Sequence, residues 1–321
     1  MTSYLIFLVT LAGIYSLMSM GLVTIWGQGG MVNLGLVGFF AVGAYGSALL
    51  SAAGVPVGLA LLFGALVAGI VGVALSYVTG PLKGDYLAIV TLGFAELIRL
   101  VATNEKWLTG GSDGLAGIRS PLKAELGALH PWFYMLVVWA FACAAALALT
   151  RLFRSPYGRA LRAVRDDEQV AAVAGKAVLQ LKLKTFFLGA AVTGVAGGLY
   201  AHLTSYIAPD SFVPLLTIYI FLAATAGGYT RVAGAIAGSF AVVALLEGTR
   251  FVAALIPGLN AVQVASLREF VIAVTLIIIM HVRPEGIFKS VNQPSKFRGA
   301  APAAPLPSPA EPMAPPVANG A

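Results

Sequence analysis

Stretches 4–26, 31–53, 56–79, 131–150, 184–207, 232–249 and 267–282 each run close to the length of a membrane crossing with almost no charge. An α-helix that crosses ~30 Å of hydrocarbon needs ~20 apolar residues. A water-soluble globule of 321 residues cannot hide so many such runs. The charged residues agree: they make up 10% of the chain, against roughly 25% in soluble domains. Two further stretches, 85–102 and 212–228, are apolar but short or interrupted, and 250–266 carries Pro257 and Gly258, so it reads as a loop or a half helix. The expected fold class is an all-α integral membrane protein, a polytopic helical bundle of about eight to ten membrane segments, some broken or re-entrant. The first run has no basic start and exceeds the ~7–15 residue core of a signal peptide, so a spanning helix is expected there.

Glycine occupies 37 positions, well above the usual ~7%. Gly189, Thr193 and Gly197, then Gly194 and Gly198, then Gly234 and Gly238 recur every four residues. That spacing puts small residues on one helix face and lets backbones pack closely. A faint internal echo links Val37–Ala44 with Ala237–Ala244, each following a Gly-Gly pair.

The net charge of +7 is not spread over a surface. Arg151, Arg154, Arg159, Arg162, Arg165, Lys176, Lys182 and Lys184 crowd one inter-helix segment, whereas the basic residues of 103–130 are balanced by acids. Such asymmetry fixes topology rather than marking a nucleic-acid surface. It places 151–183 and the C-terminus in the cytoplasm, 103–130 outside, and the N-terminus outside if 31–53 and 85–102 both cross. Residues 1–290 are expected to form the membrane domain. Residues 291–321, rich in Pro and Ala, read as a disordered cytoplasmic tail. The single cysteine, Cys143, excludes an intrachain disulfide, and His130, His202 and His281 lack metal-ligand spacing.

Segment 151–183 carries more than charge. Arg159, Arg162 and Arg165 recur at helical spacing; Asp166, Asp167 and Glu168 follow, then Ala171, Ala172 and a turn-forming Gly175. A short amphipathic helix closed by glycine can seat in a groove of another protein. Elsewhere, Glu96 and Arg99 lie on one helix face. Charges inside a membrane normally face protein or water, so the pair is either a polar wall of a translocation path or a structural ion pair near the outer surface. Gln28, Gly29, Gly30 and Asn33 interrupt two apolar runs; they form either a broken helix offering free N–H groups to a carboxylate or an ordinary turn. Asp210-Ser211 after Pro209 reads as a capped helix start.

Glu168-Gln-Val-Ala171-Ala172-Val-Ala-Gly175 resembles the loop by which ABC importer permeases dock onto their ATPase. Tyr86-Leu-Ala-Ile-Val-Thr91-Leu-Gly-Phe-Ala-Glu96-Leu-Ile-Arg99, Leu108-Thr-Gly-Gly-Ser-Asp-Gly114, Tyr157-Gly158-Arg159-Ala-Leu-Arg162-Ala-Val-Arg165-Asp-Asp-Glu168, Ala208-Pro-Asp-Ser-Phe212 and Arg283-Pro-Glu-Gly-Ile287 are similar, in order and spacing, to the M-type permease subunits of the Liv branched-chain amino acid ABC importers. The resemblance covers roughly residues 10–290. It implies a bacterial inner-membrane subunit that works with a second, H-type permease subunit, two ATPase subunits and a periplasmic substrate-binding protein. It also implies a coupling loop built on Gly158, Arg159, Arg162, Arg165, Glu168, Ala171, Ala172 and Gly175. Urea and short-amide permeases share the family. The candidate translocation path is Gln28, Asn33, Tyr86, Thr91, Glu96 and Arg99.

The chain contains no G-x-x-x-x-G-K-[ST] phosphate loop. ATP and its Mg ion are therefore expected on the partner subunits, with no cofactor on this chain. No nucleophile–base or paired-carboxylate arrangement suggests an enzyme. A stand-alone secondary carrier would need intramembrane ionisable groups, for which only Glu96, Arg99 and Glu247 offer themselves.

Overall fold

The computed structural model describes residues 2–82, 84–254, 260–282 and 286–287. Thirteen α-helices run through them: α1 Thr2–Leu22, which continues as a π-helix over Val23–Gln28, α2 Leu36–Ala52, α3 Val57–Val78, α4 Gly84–Asn104, the short α5 Lys106–Thr109 and α6 Lys123–Leu126, α7 His130–Arg154, α8 Pro156–Asp166, α9 Glu168–Val173, α10 Val178–Thr204, α11 Leu215–Gly227, α12 Val232–Ala254 and α13 Ala261–Val282. The only strands among the described residues are β1 Leu115–Ala116 and β2 Tyr206–Ile207, paired antiparallel. Among the described residues, eight helical segments are long and apolar enough to cross a membrane, within the eight to ten that the sequence predicts. Stretch 250–266, expected as a loop or half helix, is instead largely the end of α12, to Ala254, and the start of α13, from Ala261; residues 255–259, with Pro257, and the expected tail, 291–321, lie outside the described residues.

Helix α10 is the axis of the bundle. It packs against α1, α2 and α3, while α1 also carries α7, α11 and α12. The glycines of α10 serve different neighbours. Gly189 abuts Gly21 of α1 and Ile25 of the π-helix that follows it, Gly194 abuts Gly64 and Ala68 of α3, and a Cβ on Gly197 would run into the Phe40 carbonyl of α2. On α12, Gly234 and Gly238 let the helix meet Gly227 and Ala223 of α11 backbone to backbone. The four-residue spacing thus does pack helices, and it does so on three faces of α10 rather than along one seam.

Several spans differ from their sequence-based limits: α7, α12 and α13 run longer than 131–150, 232–249 and 267–282, and others are reshaped. Stretch 31–53 shortens to α2, at 17 residues below the length of a full crossing. Residues 29–35 leave the helix because Gly30 takes a positive φ of 71° and the Asn33 carboxamide oxygen accepts the Gly35 N–H at 2.7 Å. Stretch 184–207 begins earlier, at Val178, since Lys182 is buried and belongs to α10. Neither Asp210 nor Ser211 caps a helix. They lie in a 3-10 turn, and α11 starts afresh at Leu215, because Pro214 holds Val213 extended.

The chain reverses at each helix, which sorts the loops to two ends. At one end β1 and β2 tie the α4–α7 connection to the foot of α10, and the Arg119 carbonyl hydrogen-bonds His202 Nδ1 at 2.6 Å. At the other end lie Gln28, α8, α9 and the 228–231 turn; Ile287 joins them there, its N–H donating to the Ala226 carbonyl at 2.9 Å. The basic segment and residues 286–287 therefore share one end, in agreement with the charge asymmetry.

Gly43 gives this packing a sharp test. A Cβ there would overlap the Gly194 backbone, so neither helix can yield locally. Gly43→Leu is expected to cost about 3 kcal/mol or more, read as a lower Tm in detergent. Gly58→Ala, where no described atom lies within 4 Å of the new Cβ, should leave the Tm unchanged.

Candidate functional site

The basic segment folds as two short helices across the end of the bundle. Ser155 is extended, as the residue before a proline must be, and Pro156 opens α8. The corner between α7 and α8 needs glycine at 158, because a Cβ would meet the Phe153 carbonyl. Gly158, Leu161 and Val164 are buried, while Arg159 stays exposed. Tyr157 reaches the Thr185 hydroxyl at 3.0 Å, and burial pushes its phenol above the ordinary range.

Arg162 and Arg165 point back into the bundle. Arg162 Nη1 donates to the Phe153 carbonyl at 2.9 Å and lies 3.5 Å from Gln28 Oε1. Arg165 Nη1 donates to the Gly27 carbonyl at 2.8 Å. Both acceptors belong to terminal turns of membrane helices, whose last carbonyls lack helical donors, and a cation is favourable at a helix C-terminus. Gln28 carries the contact onward, its Nε2 donating to the Thr230 carbonyl at 2.7 Å. Trp26 stacks on Tyr229 with ring centroids 4.8 Å apart. The two glycine-marked breaks, 29–30 and 227–228, are thus bridged to each other and to α8.

Helix α9 is capped at both ends. Asp167 Oδ1 accepts from the Gln169 and Val170 N–H groups at 2.9 and 3.0 Å. At its C-terminus Lys176 N–H reaches the Ala171 carbonyl and Gly175 N–H the Ala172 carbonyl, with Gly175 at φ 76°. This is the paired-bond ending that favours glycine. Glu168 Oε1 takes the Lys182 ammonium at 2.7 Å; Lys182 is 10% exposed and Glu168 28%. Ala171 faces inward, whereas Ala172, Val170 and Val173 face outward, the last 91% exposed. A cleft of about 210 Å³ runs beneath the α8–α9 junction, between Gly29–Met31, Leu82, Leu87, Arg165 and Lys182.

The six path candidates do not converge on one cavity. Gln28 belongs to the α8 contact. Asn33 and Thr91 are fully buried and set the start of α2: the Thr91 hydroxyl accepts the Leu34 N–H at 3.0 Å and donates to the Ala88 carbonyl. Val37 N–H finds the Thr217 hydroxyl of α11 at 3.2 Å. The N–H groups of this broken start are largely occupied by side chains of the chain itself. Tyr86, Glu96 and Arg99 lie instead on the open face of α4. Sequence reasoning passed over Lys182 as one more topological cation and over Asp167 as one acid among three. A lone lysine at the head of an apolar run, and an Asx residue two positions ahead of Gln169, were the available signals.

With this geometry in place, a family model described as the branched-chain amino acid transport system / permease component matches residues 4–280. The chain belongs to that family of membrane permeases. Escherichia coli K12 LivM, a high-affinity branched-chain amino acid transport system permease protein, is 32% identical over 243 residues, covering 68% of this chain and 57% of the relative. A probable LivM of Methanocaldococcus jannaschii is 31% identical over 173 residues, 53% of this chain and 49% of its own. E. coli K12 LivH is 27% identical over 259 residues, 72% of this chain and 80% of the relative. The higher identity to LivM agrees with the M-type resemblance, and the chain spans 57% of the length of the E. coli LivM it matches. No solved structure matches.

The Glu168–Lys182 pair should behave as one unit of the site. Glu168→Gln leaves a largely buried ammonium without its carboxylate and is expected to cost about 2 kcal/mol. Lys182→Met in that background should lose less than the sum of the two single changes, with the coupling read from a double-mutant cycle of denaturation midpoints.

Proposed function

We propose that this chain is the M-type permease subunit of a binding-protein-dependent ABC importer that carries branched-chain or similar small amino acids across a bacterial inner membrane. In this reading a periplasmic binding protein delivers the cargo, a second, H-type permease subunit completes the path, and two ATPase subunits supply the energy with ATP and Mg held on their own residues. The branched-chain amino acid transport role of the LivM and LivH relatives supports the cargo class. The α8 end of the bundle, with the chain after α13, is then the cytoplasmic side.

One observation carries the mechanism: Arg162 and Arg165 of α8 bind carbonyls at the ends of α7 and of the π-helix that closes α1. The exposed face of α8 and α9, with Arg159, Ala172, Val170 and Val173, suits an ATPase groove. A displacement of α8 pulls on α1 through Gly27 and on the 228–231 turn through Gln28. Helix α1 and the α11–α12 pair packed on it are thereby re-aimed together against α10, which is the requirement of alternating access. A polar contact of this kind does not need to touch cargo. Selection rests with the binding protein, and a path walled by apolar helices suffices for small amino acids.

Gly175 tests the coupling role. No described atom lies within 4 Å of a Cβ at this position, so only its φ of 76° resists substitution. Gly175→Val strains that turn by about 1–3 kcal/mol and is expected to cut binding-protein-dependent uptake at least tenfold with normal membrane insertion. Gly175→Asn, which tolerates left-handed backbone, should retain most uptake. Full transport by Gly175→Val would refute a docking role for this turn.

A further inference from the structure

Helix α13 begins at Ala261, ahead of the apolar stretch 267–282. The earlier start draws Arg268 into the helix, ~10 Å from its Ala261 end at 1.5 Å per residue. Glu247 lies ~10 Å from the Ala254 end of α12, and both of these ends are opposite α8. An acid and a base on separate helices thus sit at a similar depth within the membrane domain. The Arg268 guanidinium lies over the Tyr219 ring of α11, 5.9 Å from its centroid. Among the described residues no carboxylate pairs with Arg268, and its Nε is buried without a hydrogen-bond partner. A membrane-embedded arginine is costly to keep and normally marks a functional site. Glu247 accepts a hydrogen bond from the Tyr4 hydroxyl of α1. Tyr15 of α1 stands between the two charges: its hydroxyl is in electrostatic reach of Arg268, Glu247, Tyr219 and Tyr200 of α10. Tyr15 packs on two apolar clusters yet keeps part of its surface open. Helix α1 is flanked by α7, α10, α11 and α12, so that surface faces a gap between helices rather than lipid.

We propose that Arg268 and Glu247 bind the carboxylate and the ammonium group of an amino acid in this gap, with Tyr15 and Tyr219 beside it. The site rests on the importer reading and gives its cargo a place. A guanidinium offers a planar fork of donors that fits a carboxylate, and here its Nε has no other acceptor. A carboxylate accepts several donors, so the Tyr4 bond leaves Glu247 capacity for an ammonium group. Leu222, Leu246 and Ile272 beside Tyr219 supply an aliphatic wall for an apolar side chain. A simple anion would use Arg268 alone and a simple amine Glu247 alone; a zwitterion uses both. Such a site reads the charges that every amino acid carries, and the choice among side chains stays with the binding protein.

The test uses the full-length chain with its partner subunits, in detergent and without binding protein. Leu216, one turn from Tyr219 on α11 and packed on both clusters that hold Tyr15, is the reporter. With Cys143 replaced, Leu216→Cys is expected to react with a small thiol reagent, and millimolar leucine should slow that reaction at least fivefold. Leucinamide, which lacks the carboxylate, and 4-methylpentanoate, which lacks the ammonium group, should give no such protection. Arg268→Gln should keep its Tm, because it removes a charge with no carboxylate partner, and should lose the protection; Arg268→Lys should retain part of it. A reporter-free check is the rise in Tm on adding leucine, present in the wild-type complex and absent in Arg268→Gln. Equal protection by leucinamide, or undiminished protection and Tm rise in Arg268→Gln, would overturn the site. Wild-type complex that takes up leucine with ATP and binding protein, yet shows neither protection nor a Tm rise, would overturn the site alone. Absence of that uptake would overturn the importer reading on which the site depends.

Discussion

The bond from Arg165 to the Gly27 carbonyl, with its companion from Arg162 to the Phe153 carbonyl, is the interaction on which the α8 end of the molecule depends. A helix that stops inside or beside a membrane leaves carbonyls with no donor, and hydrocarbon offers none. Here the missing donors come from guanidinium groups on a helix that lies outside the spanning bundle. Closing α1 and α7 is therefore the same event as seating α8. The π-helix over Val23–Gln28 sharpens the dependence, since wide turns of this kind are strained and cluster at functional positions. Gln28 extends the tie to the Thr230 carbonyl, so three membrane elements end on one short amphipathic helix.

Much of the architecture was legible in the chain because the membrane imposes it. Apolar runs of fixed length announce helices, and the cluster of arginines announces which end they face. Glycine at 175 announced the close of α9, and its positive φ and paired backbone bonds agree. The broken start of α2 was legible as a break at Gln28–Asn33. Its outcome was not, because whether free N–H groups await a ligand or are capped depends on Thr91 and Thr217, which are 58 and 184 positions away from Asn33 in the sequence. Lys182 was misplaced for a related reason. Spacing cannot tell a cation that sets topology from one that a carboxylate fourteen residues earlier draws into the core.

The candidate path residues separate along the same line between local pattern and tertiary contact. Thr91 and Glu96 share one helix, and the sequence treats both as polar interruptions. Packing turns Thr91 toward α2, where its hydroxyl serves the backbone, and leaves Glu96 and Arg99 on the uncovered side. These polar groups thus divide into those that satisfy the chain's own broken helices and those that pair with each other on its open face. The first set joins α8 to the spans; the second lies on α4, well away from it.

The central claim is that α8 and the closing turn of α1 move as one body. Hydrogen–deuterium exchange on the assembled transporter, with and without ATP, tests it directly. The account predicts that protection of residues 23–31 and of residues 156–166 changes together on nucleotide binding, and that Arg165→Ala uncouples the two. A nucleotide-dependent change confined to 156–166, with 23–31 unaltered in the wild-type chain, would contradict it.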